Sequence, residues 1–274
     1  MPLTLRWKGS IGRAVEGDNL RPESLATPSD LAARVKVLAG NEAVELGELF
    51  EIDGDGGDGM LIFEGDLRAV RGLGSEMASG RLLLRGDAGA RLGSGMTGGS
   101  IEVEGSAEDW AGAEMRGGLI RVRGDAGDLL GAALPGSRLG MRGGVILVEG
   151  RAGDDVGLAM RRGLIAVRGA LGEGAGRGLV AGSIFGFGPI GRRAGSGMKR
   201  GTLAFLGKDG VAAFEPSPTF EASGSFRPPI LDIFLKELAA MGFDVPGAAF
   251  AGSIRRYNGD RLEGGRGEIL VASL

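Results

Sequence analysis

The chain has 274 residues, a formal net charge of −3 and neither Cys nor His. Those two absences exclude disulfides, thiolate iron–sulfur ligation, thiol catalysis and any Ser-His-Asp triad. Gly occupies 56 positions while aromatic residues make up only 5%, and an acidic chain with so few aromatics among its basic residues is poorly suited to nucleic acid.

Residues 1–45 carry no repeat. Thr27-Pro-Ser-Asp-Leu marks a turn or short helix start, and 35–38 and 45–52 read as strands flanking Gly40-Asn41. This segment is expected to lead into the first coil of a repeating region and to cap its exposed edge. Residues 1–8 contain no long apolar run, and no stretch approaches the roughly 18 apolar residues of a membrane span. A cytoplasmic protein is expected, with no membrane partner. Asp53, Asp55 and Asp58 sit among glycines without the Glu that completes an EF-hand loop, so they read as a solvated turn.

Residues 46–212 are dominated by repetition. After a weaker coil at 60–65, glycines fall at 86, 105, 124, 150, 169, 188 and 207, every step being 19 residues except one of 26. A second glycine precedes each by six residues, from Gly80 to Gly201. A third column holds Met77, Met96, Met115, Met141, Met160, Leu179 and Met198. Fixed periods of this size signify a solenoid. Between the two glycines runs a period-two strand, with Leu82/Leu84, Ile101/Val103, Ile120/Val122, Ile146/Val148 and Ile165/Val167 facing inward and charged or variable residues alternating. Nineteen residues at about 3.3 Å each make a circuit of roughly 60 Å, with no room for a helix. Folded into three short sides and stacked at about 4.8 Å, such circuits build a parallel β-helix whose bends need glycine. The expected fold is therefore all-β: a right-handed parallel β-helix with an N-terminal cap and a short C-terminal helix and tail. The methionines should form an internal stack, since Met fills irregular gaps. The 26-residue step carries an insertion near 132–138, which becomes a loop on one face, either a binding surface or a tolerated bulge.

Two outward columns carry charge. Arg85, Glu104, Arg123, Glu149 and Arg168, just before the strand-end glycines, alternate in sign and should stack as an ion-pair ladder. The residues after each methionine are Ala78, Thr97, Arg116, Arg142, Arg161, Val180 and Lys199, with basic side chains at four and acidic at none. Arg162 and Arg200 widen this stripe, and Arg192 and Arg193 are expected near it. A stripe of one sign favours an anionic partner, either an acidic protein surface or a polyanionic cofactor tail. Arg116, Arg142, Arg161, Arg162, Lys199 and Arg200 are thus the candidate contact residues. The pattern offers no catalytic residues, no metal-ligand set and no assignable cofactor-binding residue.

In residues 213–274, Pro216, Pro218, Pro228 and Pro229 mark an extended connector. Ile230, Leu231, Phe234, Leu235 and Leu238 then recur at helical spacing, closed by Gly242. This helix of about 12 residues should cap the solenoid end, with docking on another subunit as the alternative. The glycine-rich tail from Arg255 could extend over a partner.

The run Gly-Asp-Ala-Gly-Ala-Arg-Leu-Gly-Ser-Gly-Met-Thr-Gly-Gly-Ser-Ile-Glu-Val-Glu-Gly at 86–105, its echo from Met160, and the Arg255-Arg-Tyr-Asn-Gly-Asp tail resemble a glycine-repeat β-helix family. It comprises the C subunit of formylmethanofuran dehydrogenase and the C-terminal domain of glutamate synthase, and the resemblance covers about residues 45–210. A bacterial branch of these C subunits serves a formyltransferase/hydrolase complex, and the abundance of Arg over Lys with much Ala and Gly inclines the reading that way. The resemblance implies a non-catalytic structural subunit of a complex that moves a formyl group between tetrahydromethanopterin and a methanofuran analogue and releases formate. It implies amidohydrolase-like, dehydrogenase B-subunit-like and formyltransferase partners, zinc in another subunit and no cofactor held by this chain. A redox tungsten or molybdenum dehydrogenase, or a free-standing glutamate synthase-type domain, are the alternatives it leaves open.

Overall fold

The computed structural model describes residues 1–9, 12–207 and 214–273, so the expected boundary at 212/213 lies outside the described residues. A 13-stranded sheet runs the length of the molecule. At its heart, Met60–Glu64, Arg81–Arg85, Ser100–Val103, Arg116–Val122, Arg142–Val148, Arg162–Val167, Ser183–Gly186 and Arg200–Phe205 follow one another as parallel neighbours. The register is that of the repeat: Leu82, Ile101, Ile120, Ile146, Ile165, Ile184 and Leu203 lie opposite one another in sequence and are all buried.

The remainder of each period is bonded to its neighbours as well. Parallel bridges join Leu67, Ala88, Ala107, Ala126, Ala152, Leu171 and Ile190 into a second ladder. In the turns between, the N–H groups of Gly93, Gly112, Gly131, Gly157, Gly176 and Gly195 donate to carbonyls one period earlier at 2.7–2.8 Å. The result is mostly β and solenoid-like, built on a large parallel sheet.

The two glycine columns answer two different constraints. Gly99, Gly118, Gly144 and Gly163 have φ of 77–107°, and a Cβ on any of them would lie 2.6 Å from the methyl of Met77, Met96, Met115 or Met141 in the preceding period. Each methionine therefore inserts its methyl where the next period has no side chain. Gly105, Gly124, Gly150, Gly169 and Gly188 are not left-handed; there a Cβ would come within 2.5–2.8 Å of the preceding period's glycine carbonyl.

The additions differ from expectation in two places. The helix, Pro229–Ala240, does not cap the end of the stack. It lies across the outer sheet face, where Leu231, Leu235 and Leu238 pack with Leu147, Ala166, Phe185 and Ala204. These outward positions form an unbroken apolar run in the late periods, whereas Leu83 in the same column is followed by charged Glu102 and Arg121, so the helix seats on the late face. The tail is likewise not extended. Ile254–Gly259 turns back and Arg266–Ala272 joins Arg200–Phe205 as one more parallel strand. It continues the repeat in space: Gly267 accommodates the methyl of Met198, and Ile269 extends the buried column.

At the other end Leu3–Trp7 pairs parallel to Met60–Glu64, and Val15–Glu16 pairs parallel to Val70–Arg71. The insertion is looped out between Gly131 and Met141, which are still bonded to each other at 2.9 Å. Ala132 and Ala133 stay buried while Pro135, Gly136, Ser137 and Arg138 are exposed.

Candidate interaction surface

The basic stripe is positioned by backbone. In each period the residue after the methionine donates its N–H to the preceding methionine-column carbonyl: Arg116 to Met96 at 2.7 Å, Arg142 to Met115 at 2.6 Å, Arg161 to Met141 at 2.8 Å and Lys199 to Leu179 at 2.7 Å. One side chain per period is therefore held on the same edge. Arg162 lies opposite Arg142 in the ladder, and Arg200 lies opposite Arg266, a cation that sequence reasoning missed because it stands outside the 19-residue period. Arg116, Arg161, Arg162, Lys199, Arg200 and Arg266 are exposed, and among the described residues none has a carboxylate within 4 Å. Arg142 alone is half-buried and paired, with Glu114 at 3.4 Å. Arg193 is engaged elsewhere, pairing with Glu173 at 2.5 Å in the turn column.

The other charged column pairs differently from the expected alternating ladder. Arg85 meets Glu64 at 2.8 Å, but Arg123 reaches diagonally to Glu102 at 2.8 Å, and Arg168 meets Asp244 at 3.3 Å. Glu149 pairs with Arg121 at 3.4 Å rather than with its neighbours in the column. The reason is the helix: buried Arg121 donates to the carbonyls of Met241 and Gly242, closing the helix C-terminus onto the sheet.

Both ends of the stack are closed by carboxylates. In an inner period the two N–H groups after the methionine bond the previous methionine carbonyl, as Thr97 and Gly98 do with Met77. The first regular period has no such predecessor, and Glu23 Oε1 accepts from Ala78 and Ser79, both at 2.6 Å. Burial pushes the Glu23 carboxyl up, but its own N–H, those of Ser79 and Ala78 and the nearby Arg21 outweigh this and hold it below the ordinary range. At the far end Gly197 would donate to a following period, as Gly178 does to Ser196. Asp260 Oδ2 accepts instead at 2.9 Å, and its other oxygen accepts from Leu262 at 3.0 Å. Burial pushes Asp260 up too, yet the N–H groups of Gly197 and Leu262 and the Thr219 hydroxyl bring it below the ordinary range.

A cleft of about 580 Å³ opens where the N-terminal segment and the insertion overhang the stack, lined by Asp18, Arg21, Glu76, Arg91, Glu114 and Arg116 among others. Its charges are largely mutual: Arg21 faces Glu76 at 3.6 Å and Arg91 pairs with Glu16. No group of three or more Asp or Glu suited to a metal ion occurs among the described residues.

A stack of glycine-cornered parallel periods, with unpaired cations along one edge, places the chain among solenoid-like, mostly β proteins. Comparison narrows the class. No protein-family profile matches the chain. The C subunit of a tungsten-containing formylmethanofuran dehydrogenase 2 from Methanothermobacter wolfeii is 37% identical over 78 residues, 27% of this chain and 29% of that one. The C subunit of the formyltransferase/hydrolase complex Fhc from Methylorubrum extorquens is 37% identical over 90 residues, 32% of this chain and 34% of that one. The chain thus aligns with about a third of the length of these curated relatives. A chain in the crystal structure of the formyltransferase/hydrolase complex FhcABCD from Methylorubrum extorquens with methylofuran superposes with a TM-score of 0.88 at 33% identity, covering 99% of this chain and all of that one. The chain belongs to the C-subunit family of formylmethanofuran dehydrogenases and formyltransferase/hydrolase complexes.

Proposed function

We propose that this chain is the structural C subunit of a formyltransferase/hydrolase complex, and that its stack is a right-handed parallel β-helix serving as scaffold. The observation that carries this reading is the end-to-end likeness to a chain of the FhcABCD complex, at 33% identity over 99% of the sequence. The complex transfers a formyl group between tetrahydromethanopterin and a methanofuran analogue and releases formate in the cytoplasm. The chemistry lies in its other subunits: an amidohydrolase-like chain with zinc, a dehydrogenase B-subunit-like chain and a formyltransferase. This chain contributes rigidity: every period is bonded to both neighbours, so a partner seated on one coil is fixed relative to a partner seated on another. Arg116, Arg142, Arg161, Arg162, Lys199 and Arg200 are its candidate contacts to a partner or a polyanion.

A second reading, the C subunit of a redox formylmethanofuran dehydrogenase, is favoured by the local identity to the tungsten-containing enzymes. A gentle affinity purification of the native protein separates the two. Copurifying amidohydrolase-like and formyltransferase chains, with formyl transfer and formate release and without tungsten or molybdenum, are expected. A metal–pterin and iron–sulfur partner would move the chain to the redox enzyme, and a chain that purifies alone would end both readings.

A further inference from the structure

The stack treats its cations differently on different sides. On the turn side three of them are neutralised within the chain, Arg151 with Asp125 at 3.0 Å, Arg177 with Asp155 at 2.5 Å and Arg193 with Glu173 at 2.5 Å, while exposed Arg192 has no ion pair among the described residues. Along the edge that follows the methionines, Arg161, Arg162, Lys199, Arg200 and Arg266 have no such partner among the described residues. The sheet register aggravates this, because it sets Arg142 opposite Arg162 and Arg200 opposite Arg266. Like charges directly opposite on neighbouring strands repel. The chain as a whole is net negative, −3, so this accumulation does not follow from general basicity. An arrangement unfavourable in the free chain becomes favourable when an anionic surface covers it.

We propose that this edge, in two lobes, docks an acidic face of another protein subunit; the proposal rests on the reading of the chain as a member of a complex. One lobe is Arg116, Arg161 and Arg162; the other is Lys199, Arg200 and Arg266. The period between them carries Val180 and Ala181 in the same places and is neutral. From Arg116 to Arg266 the edge rises five strand spacings, about 24 Å at ~4.8 Å each. That length suits the face of a folded partner, and the lobes predict two carboxylate clusters on it separated by an uncharged waist. Arg266 is the member that makes the second lobe, and it comes from the C-terminal strand, so docking also reports that this strand is in place. A long anionic duplex is the less suitable occupant, since no aromatic residue is interleaved with the basic ones on this edge.

The test uses the full-length chain and the other subunits of its complex. The double reversals Arg161→Glu with Arg162→Glu, and Lys199→Glu with Arg200→Glu, are compared with wild type and with Arg151→Glu on the paired side. The milder Lys199→Gln with Arg200→Gln guards against misfolding, and circular dichroism and melting temperature are recorded for all. Assembly is measured at low and at high salt. The expected result is a loss of affinity of about tenfold or more for each double reversal, a smaller loss for the Gln pair and a flattened salt dependence, with Arg151→Glu like wild type. Wild-type affinity and salt dependence in folded reversal variants would overturn the proposal while leaving the subunit reading intact. A wild-type chain that binds none of the subunits would end the subunit reading, and docking with it. Reversals that leave assembly whole but abolish methylofuran retention, or binding of the lone chain to anionic vesicles or to nucleic acid, would overturn the proposal by giving the edge a different occupant.

Discussion

At the scale of single residues, the fold turns on pairs that meet across one period. Met115 and Gly144 are such a pair, the methyl occupying the space a Cβ would need, 2.6 Å away, at a backbone φ of 89°. Gly144→Ala combines a left-handed strain of about 1 kcal/mol with overpacking of roughly 1–3 kcal/mol. A destabilisation of about 2–4 kcal/mol in urea unfolding is expected, and a shorter residue at 115 should recover part of it. The capping carboxylates make a second prediction. Both Glu23 and Asp260 titrate lower in the folded chain than an ordinary carboxylate. A depressed folded pKa stabilises above the unfolded value of about 4 and is lost as pH falls through the folded one. Stability should hold from neutrality to about pH 5 and decline below, and Glu23→Gln with Asp260→Asn should be less stable at pH 7 and flatter toward pH 3. Unfolding free energies measured across that range check both statements.

Arg121 links residue to element. Its guanidinium, itself buried, donates to the carbonyls of Met241 and Gly242. Arg121→Met removes these charge-assisted hydrogen bonds and the contact to Glu149 and should cost about 1.5–3 kcal/mol. The helix it closes is also bound by its apolar face. Leu235, fully buried against the late strands, should cost about 2–5 kcal/mol as Leu235→Ala, and dye binding to the uncovered sheet face would report the undocked helix. Where the helix sits was only partly legible beforehand. Its spacing and its Pro and Gly boundaries are plain in the sequence, but its seat depends on the outward residues Leu147, Ala166, Phe185 and Ala204. Those apolar residues are visible as a switch from Glu102 and Arg121, a signal that escapes notice when the outward positions are treated as uniformly variable.

Across the whole molecule, stability is shared between neighbouring periods. In a stack where each unit bonds the units before and after it, protection should be greatest in the middle and least at the margins. Amide exchange should therefore be slowest in Arg142–Val148 and Arg162–Val167 and fast in the exposed loop at 135–138 and in the edge strand Glu221–Phe226, which is exposed throughout. Uniform exchange along the chain would contradict this picture of coupled periods. By the same coupling, the distance between two surface residues follows from the number of periods separating them.

The period alone determined the parallel stack, the inward Leu, Ile and Val columns, the buried methionines and the basic stripe, because a fixed repeat places equivalent residues in equivalent surroundings. Elements outside the period were decided only by tertiary structure. The tail reads as a free glycine-rich extension, yet Arg266–Ala272 is the final strand, because the open edge left by Arg200–Phe205 has backbone groups to satisfy and a Met198 methyl to cover. The carboxylates of Glu23 and Asp260 become caps for the same reason at opposite ends. Which Arg pairs with which carboxylate was also beyond the sequence, since a long side chain chooses among in-register and diagonal partners only once the helix has claimed Arg121.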